Sequence, residues 1–342
     1  MVSKVGLLRK IILTGLLVGV FGLLIVFGFV TVNQPVSPSR PVQIVYIPPG
    51  TAFSKVSHLL YQEGLIKQEW FLQMLGRVQR VDRKIIPGEY ELHAGMRPTE
   101  LLEKLVAGKV YEHSVTIPEG YTVAQIADVL DQKGLADKQE ILRLNRDVDF
   151  LASLKINAST LEGYMFPDTY RFARDMPPEF LVRTFVHRFH EMVTPELKAQ
   201  AKIMGMTLQE VVALASVIEK ETGLAKERSL VSGVFHNRLR RNIPLQSDPT
   251  VIYALEYFDG NIRKADLSVD SPYNTYKVRG LPPGPIANPG LAAIQAALYP
   301  TASDFVYFVS RNDGSHKFSA TLAEHNKAVN KYQRRRRSKQ SS

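Results

Sequence analysis

Thr207-Leu208-Gln209-Glu210-Val211-Val212-Ala213-Leu214-Ala215-Ser216-Val217-Ile218-Glu219-Lys220-Glu221-Thr222-Gly223 is the stretch on which the reading of this chain turns. Thr207 and Glu210 have capping-box spacing and Gly223 stands just past the end, so the pattern predicts a helix over 207–222 in a fixed register. At 100° per residue, Leu208, Val211, Val212, Ala215 and Ile218 form its buried stripe, and Glu219 falls on the stripe's edge. Glu219 is therefore expected to point inward. Glu221, 200° further round, is expected to be solvated. Burial raises a carboxyl pKa, as a general acid near neutral pH requires, but a structural ion pair with Arg228 or Arg238 would perturb it too.

Outward from this helix, helical periodicity recurs over 178–191, 195–204, 226–241 and 289–298, with strands expected at 305–310 and 316–319. Leu161-Glu162-Gly163-Tyr164-Met165-Phe166-Pro167-Asp168-Thr169-Tyr170 reads as a loop or short strand of fixed shape. Leu245-Gln246-Ser247-Asp248-Pro249-Thr250 and Ser271-Pro272-Tyr273-Asn274-Thr275-Tyr276 read as turns rich in the hydroxyl, amide and aromatic groups that bind sugars. Residues 156–330 thus form a helix-rich α+β domain.

Upstream, the sequence repeats at an offset of 70 residues. Ile47-Pro48-Pro49-Gly50 matches Ile117-Pro118-Glu119-Gly120, and Leu60-Tyr61-Gln62-Glu63-Gly64-Leu65 matches Leu130-Asp131-Gln132-Lys133-Gly134-Leu135. Each copy reads as strand, turn, amphipathic helix and glycine stop. A helix at 69–78, a strand at 88–92 and a helix at 98–107 complete a strand–helix–helix–strand unit over 42–110, which resembles the small LysM-type module that binds peptidoglycan glycans. Residues 111–155 are a second, repeat-like connecting segment.

Residues 11–32 are uncharged and apolar, about the ~20 needed to cross a bilayer, and follow Lys4, Arg9 and Lys10. A transmembrane helix is expected, with residues 1–10 cytoplasmic and everything after Asn33 outside the cytoplasm. A cleaved signal peptide is the alternative; its apolar run is usually shorter and ends in a small-x-small site. Residues 33–41, with three prolines and two serines, read as a linker.

The formal net charge of +10 comes partly from a basic tail over 331–342, expected to be solvated; no nucleic-acid partner is implied. With no cysteine there is no disulfide, thiolate ligand or cysteine nucleophile. No H-E-x-x-H spacing points to a metal, and no G-x-G-x-x-G or phosphate loop to a nucleotide, so no metal and no cofactor are expected.

Ala215-Ser216-Val217-Ile218-Glu219-Lys220-Glu221-Thr222, Val234-Phe235-His236-Asn237-Arg238-Leu239, Leu245-Gln246-Ser247-Asp248-Pro249-Thr250-Val251-Ile252-Tyr253, Tyr273-Asn274-Thr275-Tyr276 and Gly280-Leu281-Pro282-Pro283-Gly284-Pro285-Ile286 occur in that order. Together they resemble the MltG-like (YceG-like) family of endolytic murein transglycosylases, over nearly the whole chain. The resemblance implies cleavage of the β-1,4 bond between N-acetylmuramic acid and N-acetylglucosamine within nascent strands, leaving a 1,6-anhydromuramyl end and setting strand length. It puts the catalytic acid/base on Glu219 and sugar contacts on Glu162, Tyr164, Gln246, Ser247, Asp248, Thr250, Tyr253, Asn274 and Tyr276. It also implies the bacterial inner membrane as location and peptidoglycan synthases as partners. A second carboxylate from Glu162, Asp168 or Asp248, a true hydrolase, and a non-enzymatic wall-binding protein remain open alternatives.

Overall fold

The computed structural model describes residues 2–37 and 41–334; Arg335 to Ser342, most of the basic tail, lie outside the described residues. The chain is a helix-rich α+β protein of two compact units, one formed by Met1–His113 with Ala173–Asp175, the other by Ser114–Phe172 with Met176–Ser342.

The first unit opens with helix α1 (Val2–Val32), in which Leu7–Val32 is long and apolar enough to span a membrane. There follow β1 (Gln43–Ile47), α2 (Phe53–Gln62), α3 (Glu69–Val78), β2 (Gly88–Leu92) and α4 (Pro98–Val106). β1 and β2 pair antiparallel with Val45 opposite Tyr90, and their inner residues meet Val56, Leu60, Leu72, Leu101 and Leu105 in one core. Gly76 lets α3 approach α2: a Cβ there would stand 2.2 Å from the Phe53 ring. Asn33 and Ser37, in the segment read as a linker, are bonded to this unit. Asn33 exchanges hydrogen bonds with Thr99 at 3.1 and 3.2 Å, and the Ser37 amide donates to the Ala94 carbonyl at 3.0 Å.

The second repeat copy enters the other unit's core. β3 (Glu112–Thr116) leads through a turn at Gly120 into α5 (Val123–Gln132), and Gly134 stops the helix. Gly50 and Gly120 share φ near 75°, as do Gly64 and Gly134 near 65°, so both copies use the same left-handed turns that glycine adopts without strain. α6 (Lys138–Leu144), α7 (Val148–Ser153) and β4 (Thr169–Ala173) follow; β4 begins beside the end of β3, where Thr116 and Thr169 share a 2.9 Å hydrogen bond.

Helices α8 (Pro178–Met192), α9 (Pro195–Ile203), α10 (Leu208–Glu221) and α11 (Ala225–Arg240) come next, then α12 (Asp248–Ala254), α13 (Leu291–Leu298), the antiparallel pair β5 (Tyr307–Ser310) and β6 (His316–Ser319), and α14 (Leu322–Val329). α10 is central. Its first turn is closed by the Thr207–Glu210 capping box, worth about 1 kcal/mol. Val211 to Ile218 are all buried, so α10 is wrapped on every side, beyond the single stripe expected from its phase. Gly163, at φ +89°, admits the chain against it: a Cβ there would stand 2.5 Å from Pro285 and 2.7 Å from Val212.

Candidate active site

Glu219 lies at the C-terminal end of α10 with its side chain 6 % exposed. Its Oε2 accepts a hydrogen bond from the Gly290 amide (3.0 Å), the residue that caps α13, and its Oε1 faces Arg228 Nη2 of α11 at 3.3 Å. The same Nη2 is 3.4 Å from Glu119 Oε2, on the turn of the second repeat copy, where the carboxylate is 46 % exposed. Lys220 turns aside to donate to the Gly120 carbonyl at 3.2 Å. Burial, aided by the negative charge of Glu119, raises the Glu219 pKa; the Gly290 amide, Arg228 and Lys220 oppose it. Two carboxylates thus flank one guanidinium, the inner nearly dry and the outer open to water.

Gly290 makes room for the outer carboxylate, whereas a Cβ at Gly120 would meet Glu219 at ordinary contact distance and glycine there serves the left-handed φ of +76°. A Cβ on Gly290 would lie 1.8 Å from Glu119 Oε1, and one on Gly120 would lie 3.5 Å from Glu219 Cγ. A side chain at position 290 would displace the flexible end of Glu119 from the space beside the Gly290 amide.

Glu221 corrects the sequence reading. It is half-buried, accepts a hydrogen bond from the Ser247 hydroxyl, and is pushed up to about 7 by burial of its carboxyl. Helical phase relates a residue to its own helix alone; here the 245–248 segment folds back over the end of α10. Arg238, considered as a partner for Glu219, instead donates to the Val306, Pro244 and Leu245 carbonyls and to Gln246 Oε1.

The other expected site residues fall into separate networks. Glu162 is buried and accepts from the Val123 amide (3.1 Å), Asn288 Nδ2 (3.1 Å) and the Tyr253 hydroxyl (3.4 Å); burial raises it to about 8. Asn288 also bonds the Tyr121 carbonyl and the Gly120 and Met165 amides, tying Glu162 to the turn that carries Glu119. Tyr164 lies in the core, edge-on to Phe189. The Thr250 hydroxyl bonds Thr275 and the Ser247 carbonyl, and Asn274 donates to the Leu267 and Val269 carbonyls, so Ser247, Thr250 and Asn274 are buried where they knit the two turns together. Gln246 and Asp248 are exposed, and the Tyr276 hydroxyl donates to Asp248. Asp168 pairs with Arg188 at 2.8 Å.

Sequence reasoning missed Glu119, which stands where the first repeat copy has Pro49. That departure inside a matched turn was the available signal. It missed Gly290 as well, since a backbone amide leaves no mark on residue type.

A family model for the YceG-like family matches residues 45–331. A protein of Bacillus subtilis (strain 168) named endolytic murein transglycosylase is 34 % identical over 317 residues, covering 87 % of each chain. One of the same name from Streptococcus pneumoniae serotype 2 is 31 % identical over 340 residues, 89 % of this chain and 61 % of that longer protein. The crystal structure of a yceG-like protein from Listeria monocytogenes aligns with TM-score 0.60 at 34 % identity, over 84 % of this chain and 98 % of that one. The chain belongs to the YceG-like family.

Proposed function

We propose that the chain is an endolytic murein transglycosylase, a lyase that cuts the β-1,4 bond between N-acetylmuramic acid and N-acetylglucosamine in nascent glycan strands and leaves 1,6-anhydromuramyl ends. Its relatives' names support the reaction. The observation that carries the choice of residue is the Glu219 carboxyl, 6 % exposed and raised in pKa, balanced between an amide and a guanidinium. Such a group can act twice. Protonated, Glu219 gives its proton to the leaving O4 while the muramyl N-acetyl oxygen stabilises the developing cation; deprotonated, it takes the proton of the C6 hydroxyl as that oxygen closes onto C1. No water is consumed.

On this reading α1 is a single-pass inner-membrane anchor with a cytoplasmic N terminus, and residues 156–330 form an extracytoplasmic catalytic domain. Residues 42–110 act as a LysM-like module, joined through 111–155 to that domain. Gln246, Asp248, Tyr253 and Tyr276 contact the glycan directly, with Glu162, Tyr164, Ser247, Thr250 and Asn274 shaping the loops beneath, and peptidoglycan synthases supply the strand. Mass spectrometry of uncrosslinked strands treated with the full chain or with Glu219→Gln tests the proposal. Anhydromuramyl ends from wild type alone support it; reducing ends, or equal cleavage by the variant, refute it.

A further inference from the structure

The first unit carries an apolar strip that its own core does not cover. On α3, Trp70, Met74 and Val78 recur at four-residue intervals, hence on one face, and are 55 %, 39 % and 75 % exposed. Phe71, Leu72 and Leu75 already supply the face buried in the core.

The end of α1 fixes where this strip lies. Phe29, in the last turn of the apolar run, stands edge-on to Phe71 with ring centroids 5.7 Å apart, and Trp70 is edge-on to Phe71 at 5.8 Å. The Asn33–Thr99 bonds fasten the next residues, so α1 ends already docked on the unit. Trp70 is one aromatic ring away from the final turn of a membrane span, the depth at which tryptophan is enriched. Lys67, Arg77, Arg80 and Arg83 are exposed nearby in sequence, and none meets a carboxylate among the described residues. A basic surface beside an apolar strip fits anionic headgroups.

We propose that α3 is an interfacial helix, with Trp70, Met74 and Val78 seated in the headgroup region of the bilayer that α1 spans and with Lys67, Arg77 and Arg80 against lipid phosphates. The inference rests on α1 being a retained span. It gives the first unit a second hold on the membrane and thereby a fixed height above it.

Trp70 is the chain's only tryptophan, so intrinsic fluorescence reports on this contact directly. The full chain is reconstituted in vesicles of phosphatidylethanolamine and phosphatidylglycerol, with and without lipids brominated close to the headgroup. Expected are flotation with the vesicles after an alkaline wash, emission roughly halved by the brominated lipid, and weak quenching by aqueous iodide. Joint Met74→Glu and Val78→Glu substitution should restore iodide access with no change in melting temperature. A chain that does not float refutes the span itself. One that floats while Trp70 stays open to iodide and untouched by bromine overturns the interfacial helix, as does a double variant still quenched like wild type.

Discussion

Glu119→Gln removes the only other carboxylate that, among the described residues, is held by the guanidinium facing Glu219. Arg228 Nη2 is 3.4 Å from one and 3.3 Å from the other, so the two carboxylate oxygens stand at most 6.7 Å apart, the two distances end to end. Two like charges at that separation repel by about 0.6 kcal/mol in bulk water and about 1.2 kcal/mol at an effective dielectric constant of about 40. Lower dielectric values do not apply, because Glu119 is 46 % exposed and solvent screens it. Without that repulsion the Glu219 pKa should fall, since the charge of Glu119 is one of the causes that raise it. Arg228, released from Glu119, pulls in the same direction. A general acid must begin protonated, so the alkaline limb of the kcat/KM profile should move to lower pH, while the rate on the acidic plateau is kept. The assay is the initial rate of anhydromuramyl-end formation across the pH range. An unmoved limb, a limb moved upward, or a uniform loss at every pH would refute the electrostatic argument.

Gly290→Ala places a methyl where Glu119 Oε1 now sits, and Glu119, the free end of a flexible side chain, must swing away; the same downward shift of the alkaline limb is expected, and the double variant with Glu119→Gln should shift no further. Additive shifts would disprove the shared cause. Glu219→Gln should lower strand cleavage at least about a hundredfold with melting temperature kept, whereas Glu221→Gln, on the Ser247 side of the helix, should stay within a few-fold of wild type; the reverse order in the rate assay would exchange their roles. Glu162, raised from 4.5 to about 8, holds a proton in the folded chain that the unfolded chain has lost between those values. Stability should therefore fall as pH rises through that window, by up to about 1.4 kcal/mol per pH unit, and Glu162→Gln should flatten the slope in thermal melts. An unchanged slope would contradict that assignment.

What could be read from the sequence was what local chemistry determines. The capping box fixed where α10 starts, and with it the phase that turned Glu219 inward. The paired glycines of the repeat were legible because only their left-handed turns ask for glycine at both offsets. What depended on another segment arriving was not. Glu221 looked solvated until Ser247 closed over it. Asp248-Pro249-Thr250 was read as a turn, although proline in a first helical turn loses no hydrogen bond, and it begins α12. The 33–41 segment had linker composition, yet the Asn33 side chain matches both the amide and the hydroxyl of Thr99.

The choice between lyase and hydrolase turns on what accompanies Glu219. A hydrolase needs a second carboxylate across the bond, about 5–5.5 Å away for retention or 6.5–9.5 Å for inversion. Asp168 is engaged by Arg188, Asp248 by Tyr276, and Glu162 caps α5 from within the core. Glu119, on the same guanidinium as Glu219, is near enough, and its Oε2 is bonded by Arg228. A carboxylate that shares a guanidinium with the acid is suited to tuning that acid's proton affinity, and poorly suited to activating water from the opposite face of a sugar ring. The single-acid route therefore predicts that Glu119→Gln, at a pH below its shifted limb, still makes anhydromuramyl ends at close to the wild-type rate. A hydrolase using Glu119 would lose turnover at every pH, and its wild type would release reducing ends; product mass spectra of the two chains side by side decide between them.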